Sequence, residues 1–255
     1  MNRIVPIAIL LLLISGVSLR GAGQDVVQFG SIKIKSSLEP SPVVIRASGG
    51  NGLYSSGGLA LTNHRWLAVQ VSFIPGGINP QKTSSKNSDN PKGLHALPGR
   101  WRDDITMQMW IAFPSSNFRR SNTVYGLLEG TTRFWSIKLD GKRHTAQMFV
   151  PPQLLERYAA TNPTTRKEFT MAASDYRIMV EFRDSEGSLL GRCCSANTPS
   201  KGADSFAFFS ALKSSPATTV VQGAVLPRNK TPWAYCMPGT YDYIKDSKDT
   251  ELSKK

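Results

Sequence analysis

The sequence predicts a mainly-β protein: an antiparallel β-sandwich with one or two short helices and long loops. Ile105 to Phe113 alternates cleanly, with Ile105, Met107, Met109, Ile111 and Phe113 on one side and Thr106, Gln108, Trp110 and Ala112 on the other. That is the period-2 pattern of a strand with one buried face. Phe134 to Val150 (FWSIKLDGKRHTAQMFV) reads as two alternating runs folded about Asp140-Gly141, and Asp-Gly between such runs suits the positive φ angles of a hairpin turn. Tyr176 to Cys193 gives a second hairpin about Ser185-Glu186-Gly187. With about seven to nine strands and turns between them, a sandwich is the natural architecture.

The chain begins with Met1-Asn2-Arg3, a positive start, followed by the apolar run Ile4 to Val17 and the small residues Gly21-Ala22-Gly23. These are the three parts of a secretory signal peptide. The apolar run is shorter than the roughly 20 residues of a membrane-spanning helix. Cys193 is the first cysteine, so a lipoprotein anchor is excluded. The expected organisation is a signal peptide over 1–23, a single sandwich domain over 24–244 and a disordered charged tail over 245–255. The expected address is exported, whether periplasmic, cell-surface or extracellular, with no membrane span after cleavage.

Gln24 to Ile34 alternates weakly and suits an edge strand; Val43-Val44-Ile45 is a short candidate inside a Ser/Gly/Pro-rich stretch. His64 to Ile74 is a strand with Leu67, Val69, Val71 and Phe73 on one face and Trp66, Ala68, Gln70 and Ser72 on the other. Pro75 to Arg100 is a long polar loop with four prolines. Loops of that length are functional or mobile. Pro114 ends the Ile105–Phe113 strand, because proline cannot donate to a ladder. Thr123 to Leu128 starts a strand that runs into the first hairpin, whose two-residue loop would set Trp135 across from Ala146, Ile137 across from His144 and Lys138 across from Arg143. Pro152 suits the first position of a short helix with Leu154, Leu155 and Tyr158 on one face. In the second hairpin, an even-length loop pairs the inward residues with Leu189, Gly191 and Cys193. Phe206 to Leu212 is a short helix or a buried strand, and Thr218 to Leu226 a strand.

The catalytic signals are sparse. His64, His95 and His144 have no metal-ligand spacing and no accompanying Asp, Glu or Cys cluster, so neither a metal nor a cofactor is expected. No Gly-x-Ser-x-Gly elbow is present. Trp66 and Trp110 lie opposite their strands' aliphatic stripes, as exposed platforms or as part of a second packed layer. Of the three cysteines, Cys236 is expected to bond Cys193, whose phase is inward, or Cys194 in its place.

The basic-aromatic groups are the candidate binding residues: Arg100, Trp101 and Arg102; Phe118, Arg119 and Arg120; and Arg133, Lys138, Lys142 and Arg143 around the Asp140 turn. Arginine beside an aromatic surface holds sulfates, carboxylates and sugar rings by forked hydrogen bonds and stacking. The formal charge is +13, and an exported protein this basic favours anionic partners.

The segments WLAVQVSFIP (66–75), DDITMQMWIAFP (103–114) and PPQLLERY (151–158), together with the leader, resemble a secreted immunoglobulin-like protein of the type IV pilus-like gene cluster of Verrucomicrobia such as Akkermansia. The likeness extends over most of the mature chain and contains no diagnostic motif. It implies an immunoglobulin-like sandwich, a cell-surface or pilus-associated role, and self-association. The chain departs from a pilin in one respect: its apolar N-terminus is followed by a cleavage site, which points to an accessory or adhesive component. The expected function is an exported, non-catalytic interaction or adhesion protein whose basic loops contact an anionic glycan or a partner protein, possible homo-oligomers included and nucleic acid not. The competing expectation is a secreted or periplasmic hydrolase acting on an anionic polymer.

Overall fold

The computed structural model describes residues 26–41, 65–78, 94–114, 125–158, 176–196 and 205–235. The leader, the 43–45 run, Phe118-Arg119-Arg120, Cys236 and the charged tail lie outside them. Ten strands are described: β1 (Val26–Pro40), β2 (Arg65–Ile78), β3 (Leu94–His95), β4 (Trp101–Pro114), β5 (Tyr125–Lys138), β6 (His144–Val150), β7 (Arg177–Arg183), β8 (Leu189–Cys194), β9 (Thr218–Val221) and β10 (Leu226–Pro227). Two helices, α1 (Pro152–Tyr158) and α2 (Ser205–Ser214), and two 3-10 turns over Arg228–Lys230 and Pro232–Tyr235 complete the described fold.

One sheet runs β1-β2-β6-β10, with β3 added to β2; the other runs β8-β7-β4-β5-β9. In immunoglobulin terms β1, β2 and β6 take the places of strands A, B and E, while β4, β5, β7 and β8 take those of C, C′, F and G. The place of strand D is filled by β10, from late in the chain. The architecture is therefore the expected immunoglobulin-like sandwich. It has one parallel pair, β9 on β5, that the alternation patterns did not signal.

The inward stripes meet as their phases dictate. Leu67, Val69, Val71 and Phe73 pack against the five inward residues of β4 and against Ile178, Val180 and Phe182 of β7. Phe29 and Phe73 stack at 5.1 Å, and Phe182 approaches Phe73 at 4.6 Å. Burying each such side chain contributes about 1.5–3 kcal/mol.

The β4 sheet is buried on its other face as well. Phe206, Phe209 and Leu212 of α2 cover Trp110, Ala112, Leu127 and Met179. The i, i+3, i+6 spacing of those three α2 residues places them on one side of a helix, so Phe206–Leu212 is helical rather than a strand. Trp110 belongs to this second layer and is only 3% exposed. Trp66, on the outer face of the β2 sheet, meets Trp233 edge-on at 5.4 Å, and Trp233 stacks on Phe149 at 4.4 Å.

The segment about Asp140-Gly141 is not a hairpin. Its first run pairs with β4, from Trp101↔Lys138 to Pro114↔Tyr125. Its second pairs with β2, from Leu67↔Val150 to Phe73↔His144. The chain thus crosses from one sheet to the other. Gly141 does take a positive φ of 67°, but the corner's backbone groups bond outward to both sheets. Leu139 N–H donates to Arg100 O at 3.0 Å, and Gly141 N–H donates to Pro75 O at 3.1 Å. Lys138 accordingly faces Trp101 rather than Arg143, so the expected like-charge pair does not form.

The second hairpin forms as expected, with Val180↔Cys193 and Phe182↔Gly191. A bulge at Phe182/Arg183 then shifts the phase, so Leu190 is buried while Leu189 is exposed. Cys193 packs against the main core and Cys194 against the α2 layer, whereas Cys236 lies outside the described residues. β2 continues to Ile78 and β3 returns beside it, so the expected 75–100 loop is structured at both ends. The predicted 218–226 strand divides into β9 and β10.

Candidate binding surface

The crossing corner collects most of the predicted binding residues. Arg100, Trp101 and Arg102 enter β4 directly beside Ile137 and Lys138 at the end of β5. Leu97 N–H donates to Leu139 O at 2.8 Å, which ties the segment before Arg100 to the corner. Lys142 and Arg143 follow within the same corner and are exposed. Register alone therefore brings two sequence-distant basic groups to one end of the sandwich.

Asp104 shapes this end. It takes a left-handed φ of 58° opposite Trp135, a conformation that an aspartate tolerates better than most residues. On β5 the inward phase runs through Phe134 and resumes at Ile137, leaving Trp135 outward and 45% exposed. Trp101 is 56% exposed, and Lys138 Nζ stands 5.8 Å from its ring centroid, within cation–π range.

The cations divide into two kinds. Arg102 donates to Asp184 at 2.5 Å. Arg133 makes a forked pair with Asp104 through Nε and Nη2. Both arginines are spent on holding the fold. Arg100, Lys138, Lys142 and Arg143 are exposed and form no ion pair among the described residues. The cations left for a ligand, among the described residues, are thus Arg100, Lys138, Lys142 and Arg143, at the same end of the sandwich as the exposed rings of Trp101 and Trp135. Trp135 was not among the sequence candidates, because strict alternation groups it with inward Ile137. The positions of Phe118, Arg119 and Arg120 lie outside the described residues.

Asp140 organises the corner itself. Its Oδ1 accepts from Lys142 N–H at 2.9 Å and lies 3.0 Å from His144 Nε2. Burial alone would raise the Asp140 pKa, but the His144 hydrogen bond, the Lys142 amide and the charges of both residues hold it below its ordinary value. The His144 ring lies over Phe73 at 5.8 Å, so it has a structural place.

The described residues contain no group of three His, Cys, Asp or Glu able to hold a metal ion, and no described helix is long and apolar enough to cross a membrane. Fold and surface define an immunoglobulin-like sandwich with one basic, aromatic end. No protein-family model and no curated protein matches the chain. The chain is similar in fold to the crystal structure of a protein from Akkermansia muciniphila, with a TM-score of 0.57 at 15% identity, over 88% of this chain and 96% of that one. That is the genus named by the sequence resemblance, and the likeness carries the fold.

Proposed function

We propose that this is an exported, non-catalytic interaction or adhesion protein of a cell-surface or pilus-associated system, which grips an anionic glycan or an acidic partner protein with its crossing corner. The observation that supports the reading is that exposed Trp101 and Trp135 share one end of the sandwich with Arg100, Lys138, Lys142 and Arg143, which form no ion pair among the described residues. Aromatic faces stack on sugar rings and the cations meet sulfates or carboxylates. The non-catalytic part draws support from the acids. Asp104, Asp140, Glu181 and Asp184 are each held by an arginine or histidine, so these four serve as structural partners.

Binding to a sulfated glycan such as heparin tests the reading. Replacing Arg100, Lys138, Lys142 and Arg143 together with Gln should weaken binding at least about tenfold, since exposed charge contacts contribute up to about 1 kcal/mol each. Unchanged binding would overturn it. Self-association, implied by the resemblance, belongs to the same proposal; light scattering that gives only monomer would remove that part.

A further inference from the structure

A second site lies away from the corner, where β9 ends. Val221 is the last residue of β9 to pair with β5, opposite Leu128, so Glu129, Gly130 and Thr131 lie beyond it. The chain turns at Gln222-Gly223 and returns across this edge. The amides of Ala224 and Val225 both donate to Glu129 O, at 2.9 and 3.2 Å. Gly130 permits the close approach, because a Cβ there would stand 1.9 Å from Val225 O. The result is a pocket of about 330 Å³ walled by Glu129, Thr131, Gln222, Leu226, Pro227 and Lys230.

The pocket is lined by two residues of opposite charge, Glu129 and Lys230, that form no ion pair among the described residues. Glu129 Oε1 accepts from Gln108 Nε2, which fixes the carboxylate, and Oε2 has no hydrogen-bond partner among the described residues. Lys230 lines the same cavity and is exposed, yet no ion pair joins it to Glu129 among the described residues. Burial lowers the Lys213 pKa and the charges of Glu181 and Glu129 oppose that shift, but the Lys213 Nζ sits over Trp110 at 3.3 Å and forms no ion pair with Glu129 among the described residues.

We propose that this pocket binds a small zwitterion of the α-amino-acid type, with its ammonium on Glu129 and its carboxylate on Lys230. At about 30 Å³ per water-sized group, the volume suits roughly ten non-hydrogen atoms. A neutral sugar of that size meets both charges through hydroxyls only, in weaker contacts than those between opposite charges. A ligand this small binds with a Kd on the order of 1 mM. The site is independent of the polyanion surface.

The test is an amide-resonance titration of the full domain with L-glutamine, N-acetyl-L-glutamine, L-glutaminamide and glucose. Glutamine should saturably shift the Gly130 and Gly223 amides. The two singly charged analogues should bind about tenfold more weakly, each having lost one charge-assisted contact. Glu129→Gln should abolish discrimination against the N-acetyl analogue, and Lys230→Met discrimination against the amide. Lys230 is exposed, so its variant carries the test even if Glu129→Gln, by disturbing the Gln108 contact, fails to fold. Absence of saturable shifts, equal binding of glucose, or unchanged discrimination in Lys230→Met would overturn the proposal.

Discussion

Asp184 closes the β7–β8 hairpin and anchors β4 at the same time. One carboxylate oxygen accepts from Arg102 Nη2 at 2.5 Å, across 82 residues of sequence. The other accepts from the amides of Glu186 and Ser188, at 3.1 and 2.8 Å. Asp184 is only 6% exposed, and truncation leaves Arg102 and the two amides without their acceptor. Asp184→Ala should cost about 1–3 kcal/mol, measured as a lower denaturant midpoint with an unchanged slope.

The two kinds of cation should separate experimentally. Arg102→Gln should lower thermal stability and leave glycan affinity within about twofold, because its guanidinium already serves Asp184. Arg100→Gln should do the reverse. Parallel melting and binding curves on the two variants give the comparison.

Asp140 gives the corner an acid limit. Its folded pKa lies below the ordinary 3.8, so the folded state binds this proton more weakly than the unfolded state. Its contribution is fully present above the ordinary carboxylate range and is lost as pH falls through the folded value. The stability difference between the wild type and Asp140→Asn should therefore shrink as pH falls below about 4. Urea unfolding at stepped pH measures it, and a difference that grows on acidification would contradict the assignment.

Gly130→Ala should be costly although it adds one carbon. The new Cβ would meet a backbone carbonyl at 1.9 Å, and backbone cannot step aside as a flexible side chain can. The expected loss is about 2–3 kcal/mol, with faster amide exchange at Ala224 and Val225 as the local sign that their bonds to Glu129 O have loosened.

Trp233→Ala removes the ring stacked on Phe149 at 4.4 Å and should cost about 2–3 kcal/mol, less than a full core deletion because the site is half-buried. Proteolysis should then become faster near residues 228–235, with the β4 core still protected.

Alternation identified the strands whose two faces differ. The inward stripes of β2, β4 and β7 were legible because a period-2 row of Leu, Val, Ile, Met and Phe has one packing solution. Pairing partners were less legible. Phe134–Val150 has every local mark of a hairpin, and Gly141 has the expected φ. A chain that turns back on itself and one that crosses between sheets place the same demand on the residues between the strands. What decided the outcome was non-local: Leu139 and Gly141 bond to Arg100 and Pro75. The binding end was legible as a composition of Arg, Lys and Trp. Which arginines were spoken for was not, since Asp184 and Asp104 reach them only in the folded register. Trp135 was hidden by the change of phase on β5 between Phe134 and Ile137, which strict alternation does not anticipate.

The placement of β10 has a consequence for how the protein is made. Synthesis releases the chain from its N-terminus, and β1, β2 and β6 can assemble early. Their sheet keeps an open edge along Met148 and Phe149 until Leu226 and Pro227 arrive to pair with them. β5 likewise waits for Thr218–Val221. Both sheets are therefore completed by strands made after all the other described strands, and a chain that stops short of them leaves these two edges open. Late closure of this kind raises the sequence separation of the finishing contacts and slows folding. It also leaves the growing sandwich pliable until β9 and β10 have been made.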